Sequence, residues 1–157
     1  MKSFSEVDAR ITKWMAQNGI KLLRISIGII FIWFGGLKFF PGLSPAEELA
    51  TSTINLLTFG VVPASVAQFG LALFEVTIGV LMLSGKFLRL TILLLLVQMA
   101  GTMSPIILFP DLVFKHAPYA LTIEGQYIIK NFVVISAAIV IGATARGGKL
   151  LSEPQSA

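Results

Sequence analysis

The chain has no cysteine and a single histidine, His116. Without thiols it can form no structural disulfide, run no dithiol relay and hold no iron–sulfur cluster. One imidazole cannot supply bis-His haem ligation or a His-based metal cluster, so no metal site is expected. Charge is scarce too. Asp, Glu, Lys and Arg make up 13% of the 157 residues, against 55% hydrophobic residues and a mean hydropathy of +0.87. That balance is far from that of a soluble domain and marks an integral membrane protein. Period-2 alternation is also missing from the apolar runs, which excludes the wall of a membrane β-barrel. No glycine-rich phosphate loop follows a strand, and Gly35-Gly36 reads as a helix-packing pair.

What is present is a set of long apolar runs at about residues 20–40, 63–85, 87–109 and 126–145. Each meets the length of about 20 residues that a spanning helix needs. The expected fold is all-α, a four-helix transmembrane bundle forming one domain over residues 1–157, since no linker divides the runs. Lys2, Arg10, Lys13, Lys21 and Arg24 precede or open the first run. Lys86 and Arg89 mark the turn after the second, and Arg146 and Lys149 follow the fourth. The opposite loops carry Glu47, Glu48, Asp111 and Glu124 against Lys115. By the positive-inside rule both termini are cytoplasmic, in a multi-pass protein whose lipid partner is the bilayer. This asymmetry explains the net charge of +4, and no basic face is interleaved with stacking aromatics, so nucleic acid is not an expected partner.

No small-x-small cleavage site follows the first run, which is read as a retained anchor. Residues 1–19 form either a cytoplasmic tail or an interfacial helix carrying Phe4, Val7, Ile11, Trp14 and Met15 on one face. Residues 44–59 read as an outer interfacial helix. Ser44-Pro45-Ala46-Glu47 resembles an N-cap with a capping box, and Ala46, Ala50, Ile54 and Leu57 recur at helical spacing. Pro105 after Ser104 is positioned to break the third run and free carbonyls.

Ionisable and amide groups at membrane depth are the candidate site. Glu75 and Gln98 fall about 15 Å inside their runs, near the midplane, and are candidates for a direct hydrogen bond. Arg24, Lys38 and Lys130 lie only about 3–6 Å inside the nearest ends, within snorkelling reach of water. Arg24, Gly28, Phe31, Gly35 and Lys38 advance by alternate steps of four and three, so this stripe of two cations and two glycines should face the bundle. In the third run Gln98, Gly101, Thr102 and Pro105 form a polar, small-residue face.

The segment from Arg24 through Gly28, Trp33, Gly35 and Lys38 to Pro41 resembles the first-helix signature of the DoxX-like superfamily, an Arg, an apolar run, then Gly-x-x-Lys. Gly70 to Gly79, with Glu75 four residues before a glycine, and Gly125 to Asn131 with Lys130 extend the resemblance over about residues 20–148. The chain is most similar to the reactive-chlorine-resistance branch of inner-membrane proteins, although its loops are shorter and it has no cysteine for thiol chemistry. The resemblance implies that Arg24, Lys38, Glu75 and Lys130 are family positions. The family name derives from a subunit associated with thiosulfate:quinone oxidoreductase, and other members are membrane partners in oxidative-stress defence. A non-catalytic accessory subunit is therefore implied rather than an independent enzyme, with a redox or stress-response protein as partner and quinone as the cofactor. Glu75 and Lys130, with Lys38 above them, would form a buried site open to the outer face, walled by Trp33, Phe74 and Phe132. Two other classes stay open: a small-molecule, proton or ion transporter acting as a homo-oligomer with Gln98 and Thr102 along its path, and a structural or assembly protein.

Overall fold

The computed structural model describes residues 4–44, 46–148 and 150; Lys2, Pro45 and Lys149, named above, lie outside them. In chain order the elements are α1 (Phe4–Leu37), α2 (Glu47–Leu57), α3 (Ala64–Ser84), α4 (Leu88–Met103), α5 (Pro105–Leu108), α6 (Pro110–Val113), β1 (Phe114–His116), β2 (Ala120–Leu121) and α7 (Ile123–Thr144). Four stretches are long and apolar enough to cross a membrane: α1, α3, Leu88–Leu108 and α7. The protein is an all-α membrane bundle. Among the described residues the strands form a single antiparallel hairpin, an addition the apolar pattern does not announce because strands of three and two residues are too short to show a period.

The four long helices close a ring in which α1 packs on α3 and α7, and α4 packs on the same two. Their shared core contains Ile27 and Phe31 from α1, Ile78 and Met82 from α3, Ile92, Leu95 and Met99 from α4, and Ala137, Ala138 and Ile141 from α7. The surface turned away from it is also apolar, with Phe69, Leu73, Val80, Leu93, Val97, Phe132 and Ile139 all exposed. In water so large an apolar belt would be an aggregation hazard; around a transmembrane bundle it is the lipid contact. A second, smaller core of Leu49, Val113 and Ile128 ties α2 and α6 to the start of α7. Gly125 is required there, because a Cβ on it would overlap the Val113 carbonyl.

Close approach of α1 and α3 rests on three glycines. A Cβ on Gly28 would lie 2.8 Å from a Leu83 side-chain carbon, one on Gly35 would lie 2.8 Å from Glu75 Cβ, and one on Gly79 would lie 2.8 Å from the Gly28 carbonyl. The stripe read from the first run thus meets its counterpart on α3, backbone against backbone, as membrane helices do when apolar burial alone gives them no reason to associate. The α3–α4 connection is equally tight. Gly85 ends α3 with φ +67, its N–H donating to the Leu81 carbonyl, and Phe87 follows at φ +51.

Several local expectations are revised. Residues 4–19 are neither a tail nor a separate interfacial helix, for α1 is a single helix from Phe4 onward. No proline interrupts it and Gly19 is accommodated in the helix interior, so α1 runs about 51 Å, well beyond the bilayer core, and carries Phe4, Ile11 and Trp14 exposed. The capping box does not form. Ala46 is the N-cap of α2 without a side-chain bond, and the Glu47 carboxylate accepts instead from the Gly42 N–H at 2.8 Å, because Gly42 at φ +79 turns that donor toward it. Pro105 starts a new helical turn, yet leaves no open carbonyl at Gly101: the Ser104 hydroxyl donates to it at 2.7 Å.

Candidate functional site

Lys38 lies just past the last residue of α1 and its side chain folds back along α3. Its ammonium donates to Glu75 Oε2 at 2.6 Å and makes a long contact of 3.5 Å to the Phe34 carbonyl, a last-turn oxygen of its own helix. Gly35 makes this possible, since any larger residue there would push the Glu75 backbone away. From α4, Gln98 Nε2 donates to Glu75 Oε1 at 2.8 Å, so both carboxylate oxygens are engaged by different helices. Thr102 stands one turn further along α4 and donates to the Gln98 carbonyl at 2.9 Å, which leaves its oxygen able to accept. Glu75 and Gln98 are buried, and the Lys38 side chain is 14% exposed. An ammonium has three donors, and Lys38 uses one on Glu75 and part of another on Phe34.

This cluster is the polar end of a partly open cavity of about 190 Å³. The other walls are aliphatic: Leu49, Ile54 and Leu57 from α2, Leu71 from α3, Pro105 from α5 and Ile128 from α7. Gly101 also lines it, and a Cβ there would meet nothing within 4 Å. The helical recurrence of Ala46, Ala50, Ile54 and Leu57 therefore has a use beyond an interfacial helix, because all four line the cavity. So do Gln98, Gly101, Thr102 and Pro105, the polar face of α4 and the turn after it. Leu71 and Ile128 were not singled out from sequence. Leu71 is four residues before Glu75 and so on its helical face, a signal that was available; nothing in the pattern of α7 distinguishes Ile128 from its apolar neighbours.

The remaining candidates are elsewhere. Arg24 is on α1, fourteen residues before Lys38 and about 21 Å away along the axis, at the other end of the bundle, beside Gly85. Lys130 is exposed and does not join Glu75; its ammonium sits 5.5 Å from the centre of the Tyr127 ring. Two residues along a helix is a rotation of about 200°, so with Ile128 turned into the bundle Lys130 is turned out. Trp33 and Phe132 are exposed on the lipid-facing belt, and Phe74 packs against the core; none of the three walls the cavity. Outside the cavity, α2 also borders a surface recess lined by Glu47, Glu48, Asp111 and Glu124, which gathers acidic residues from α2, α6 and the first turn of α7. Among the described residues no group of His, Cys, Asp or Glu has the arrangement to hold a metal ion.

With the glycine seam and the Lys38–Glu75 pair located in the first half of the chain, the match to known families can be placed on the fold. The DoxX family model matches residues 19–110, from the membrane-spanning part of α1 through α5. The chain belongs to the DoxX family. The match contains Lys38, Glu75, Gln98 and Thr102, and it ends before α7, so Lys130 lies outside it. Comparison with curated proteins and with solved structures found no match.

Proposed function

We propose that this DoxX-family protein is an inner-membrane accessory subunit that holds the polar ring of a small lipid-soluble molecule of the quinone class, in quinone-linked redox chemistry or oxidative-stress defence of the reactive-chlorine-resistance type. The supporting observation is the cavity itself, an apolar slot about 190 Å³ in volume that ends on Lys38, Glu75, Gln98 and Thr102. A dry apolar cavity of about 150 Å³ is known to accept a benzene ring, so the space suits one six-membered ring. The donor set suits a quinone: a ring carbonyl would accept from Lys38 or Gln98, and Thr102 and Glu75 offer acceptors for a ring hydroxyl. A quinone would supply the redox chemistry when bound. What this chain's residues contribute is orientation, a pocket of low polarity, and a carboxylate within reach of a proton. Electrons must come from a protein partner, because the residue inventory offers no cysteine cluster or paired histidines for a redox centre.

A conduit through the monomer is not favoured. Inward of the cluster the bundle is filled by Ile78, Met82 and Leu95, which have no exposed surface, and the carbonyl freed at Pro105 is already bonded to Ser104.

The test is mass spectrometry of small molecules retained by mildly solubilised protein, comparing wild type, Glu75→Gln and Gly101→Leu with an unrelated four-helix membrane protein. Gly101 lines the cavity and a Cβ on it meets nothing within 4 Å, so Gly101→Leu takes up cavity space and keeps both charges of the ion pair. A quinone enriched in wild type and reduced about tenfold or more in both variants, a loss of at least about 1.4 kcal/mol of binding, is the expected result. Retention by neither wild type nor variants, or equal retention by all three, rejects the reading and leaves the polar cluster as a clamp between helices.

A further inference from the structure

At the end of the bundle away from the cavity, Arg24, within α1, is half-buried, and its guanidinium rests on Gly85 so closely that a Cβ on that glycine would overlap it. Its position at the C-terminal end of α3 accounts for the attraction of a cation, since the helix dipole is negative there. It does not account for the guanidinium's five N–H donors. Among the described residues the Arg24 side chain makes no hydrogen bond or ion pair, the one salt bridge found being Lys38–Glu75. Among the described residues no carboxylate is within reach. Asp8 is sixteen residues earlier on α1, about 24 Å along the axis, and Glu75 is ten residues back from Gly85 on α3, about 15 Å away and already bonded to Lys38 and Gln98.

Other cations surround this unsatisfied donor set. Lys86 is the residue next to Gly85 and is exposed, Lys21 is one turn below Arg24 on α1 and exposed, and Arg89 opens α4. The depth is that of the lipid head groups. Glu75 sits near the middle of its span, and a step of about 15 Å from it is half the thickness of a hydrocarbon core of about 30 Å. An acceptor with several oxygens, negative charge and this location is a phosphodiester, and three neighbouring cations disfavour a head group that carries its own positive charge.

We propose that Arg24 and Lys86, on the platform made by Gly85, bind the phosphate of an anionic phospholipid in the inner leaflet. The ligand's phosphate takes the open guanidinium donors and the Lys86 ammonium, and its glycerol and acyl chains lie against the apolar surface of the bundle beside the α3–α4 turn. The site is independent of the cavity at Lys38, so it stands or fails without the quinone reading.

The experiment uses the full chain in phosphatidylcholine nanodiscs with and without phosphatidylglycerol, with native mass spectrometry after release to count lipids that stay bound. Wild type is expected to retain phosphatidylglycerol over phosphatidylcholine. Arg24→Gln and Lys86→Gln should each lower that retention about fivefold, the weight of one cation near a membrane surface, while Lys13→Gln on the projecting part of α1 leaves it unchanged. Lys86 is exposed, so its variant reports on the site even where Arg24→Gln impairs folding. In phosphatidylcholine alone, inorganic phosphate should give no rise in melting temperature, whereas phosphatidylglycerol should give one that Lys86→Gln removes. Equal losses in all three variants would mean diffuse attraction to a basic face and overturn the site. Unchanged retention in Lys86→Gln and Arg24→Gln overturns it as well, and stabilisation by inorganic phosphate equal to that by the lipid overturns the lipid as its source.

Discussion

Lys38→Met is expected to destabilise the bundle by about 3–5 kcal/mol, the cost of leaving one member of a buried ion pair without its partner. The methionine keeps the length and apolar stem of the lysine but removes the charge that meets Glu75 Oε2 at 2.6 Å. Gln98 then remains the carboxylate's only partner among the groups that bond it here, and a neutral amide cannot replace an ammonium at this depth. The double variant Lys38→Met with Glu75→Met should recover much of the loss, because replacing both charges with well-packed apolar groups removes the desolvation cost as well as the attraction. Denaturant unfolding in a fixed detergent, run on wild type, both single variants and the double, measures the coupling directly. Additive losses would show that the pair contributes no net coupling, and the cluster would then have to be explained by ligand binding alone.

The second large effect is expected at Gly79. A Cβ there would lie 2.7 Å from an Ile32 side-chain carbon and 2.8 Å from both the Ile32 nitrogen and the Gly28 carbonyl. Two of those three atoms are backbone and cannot rotate away, so Gly79→Ala must separate α1 from α3. A penalty of about 1–3 kcal/mol is expected for such overpacking, and more for a larger side chain. The separation should also be felt one turn outward, where Gly35 and Glu75 meet and Lys38 closes the pair. Gly36→Ala is the natural control: it is adjacent in sequence to Gly35, but a Cβ there meets nothing within 4 Å. Melting temperatures of the two variants should therefore diverge, Gly36→Ala staying near wild type. Similar losses in both would point to lost backbone flexibility rather than to contact at the seam.

Much of this protein is legible in its composition and spacing. Continuous apolar runs of membrane length leave few folds available, and a stripe of glycines at steps of three and four has few uses other than close helix packing. The stripe also bears on the candidate site, since Gly35 and Lys38 share a face and the Lys38 ammonium meets Glu75 of the neighbouring helix. Sequence offered Glu75 two basic partners, Lys38 and Lys130, and could not choose between them. The choice depends on how α7 is rotated about its own axis, and that rotation is set by Ile128, Ala138 and Ile141 packing against other helices. Hydropathy is nearly uniform around α7, so no periodic signal recorded it.

The amino-acid sequence by itself determined the solvent, the number of long helices, the face of α1 that turns into the bundle, and the few polar groups at depth. These are properties of single segments, readable from length and period. Tertiary structure alone decided that Lys38 and not Lys130 joins Gln98 on Glu75, that α2 walls a cavity above them, that Lys130 faces outward, and that Arg24 stands against Gly85. Each of these depends on the relative rotation and offset of helices far apart in the chain. In a membrane, apolar faces do not distinguish core from lipid, so that geometry is chosen by small residues and a few polar contacts that only the assembled bundle brings together.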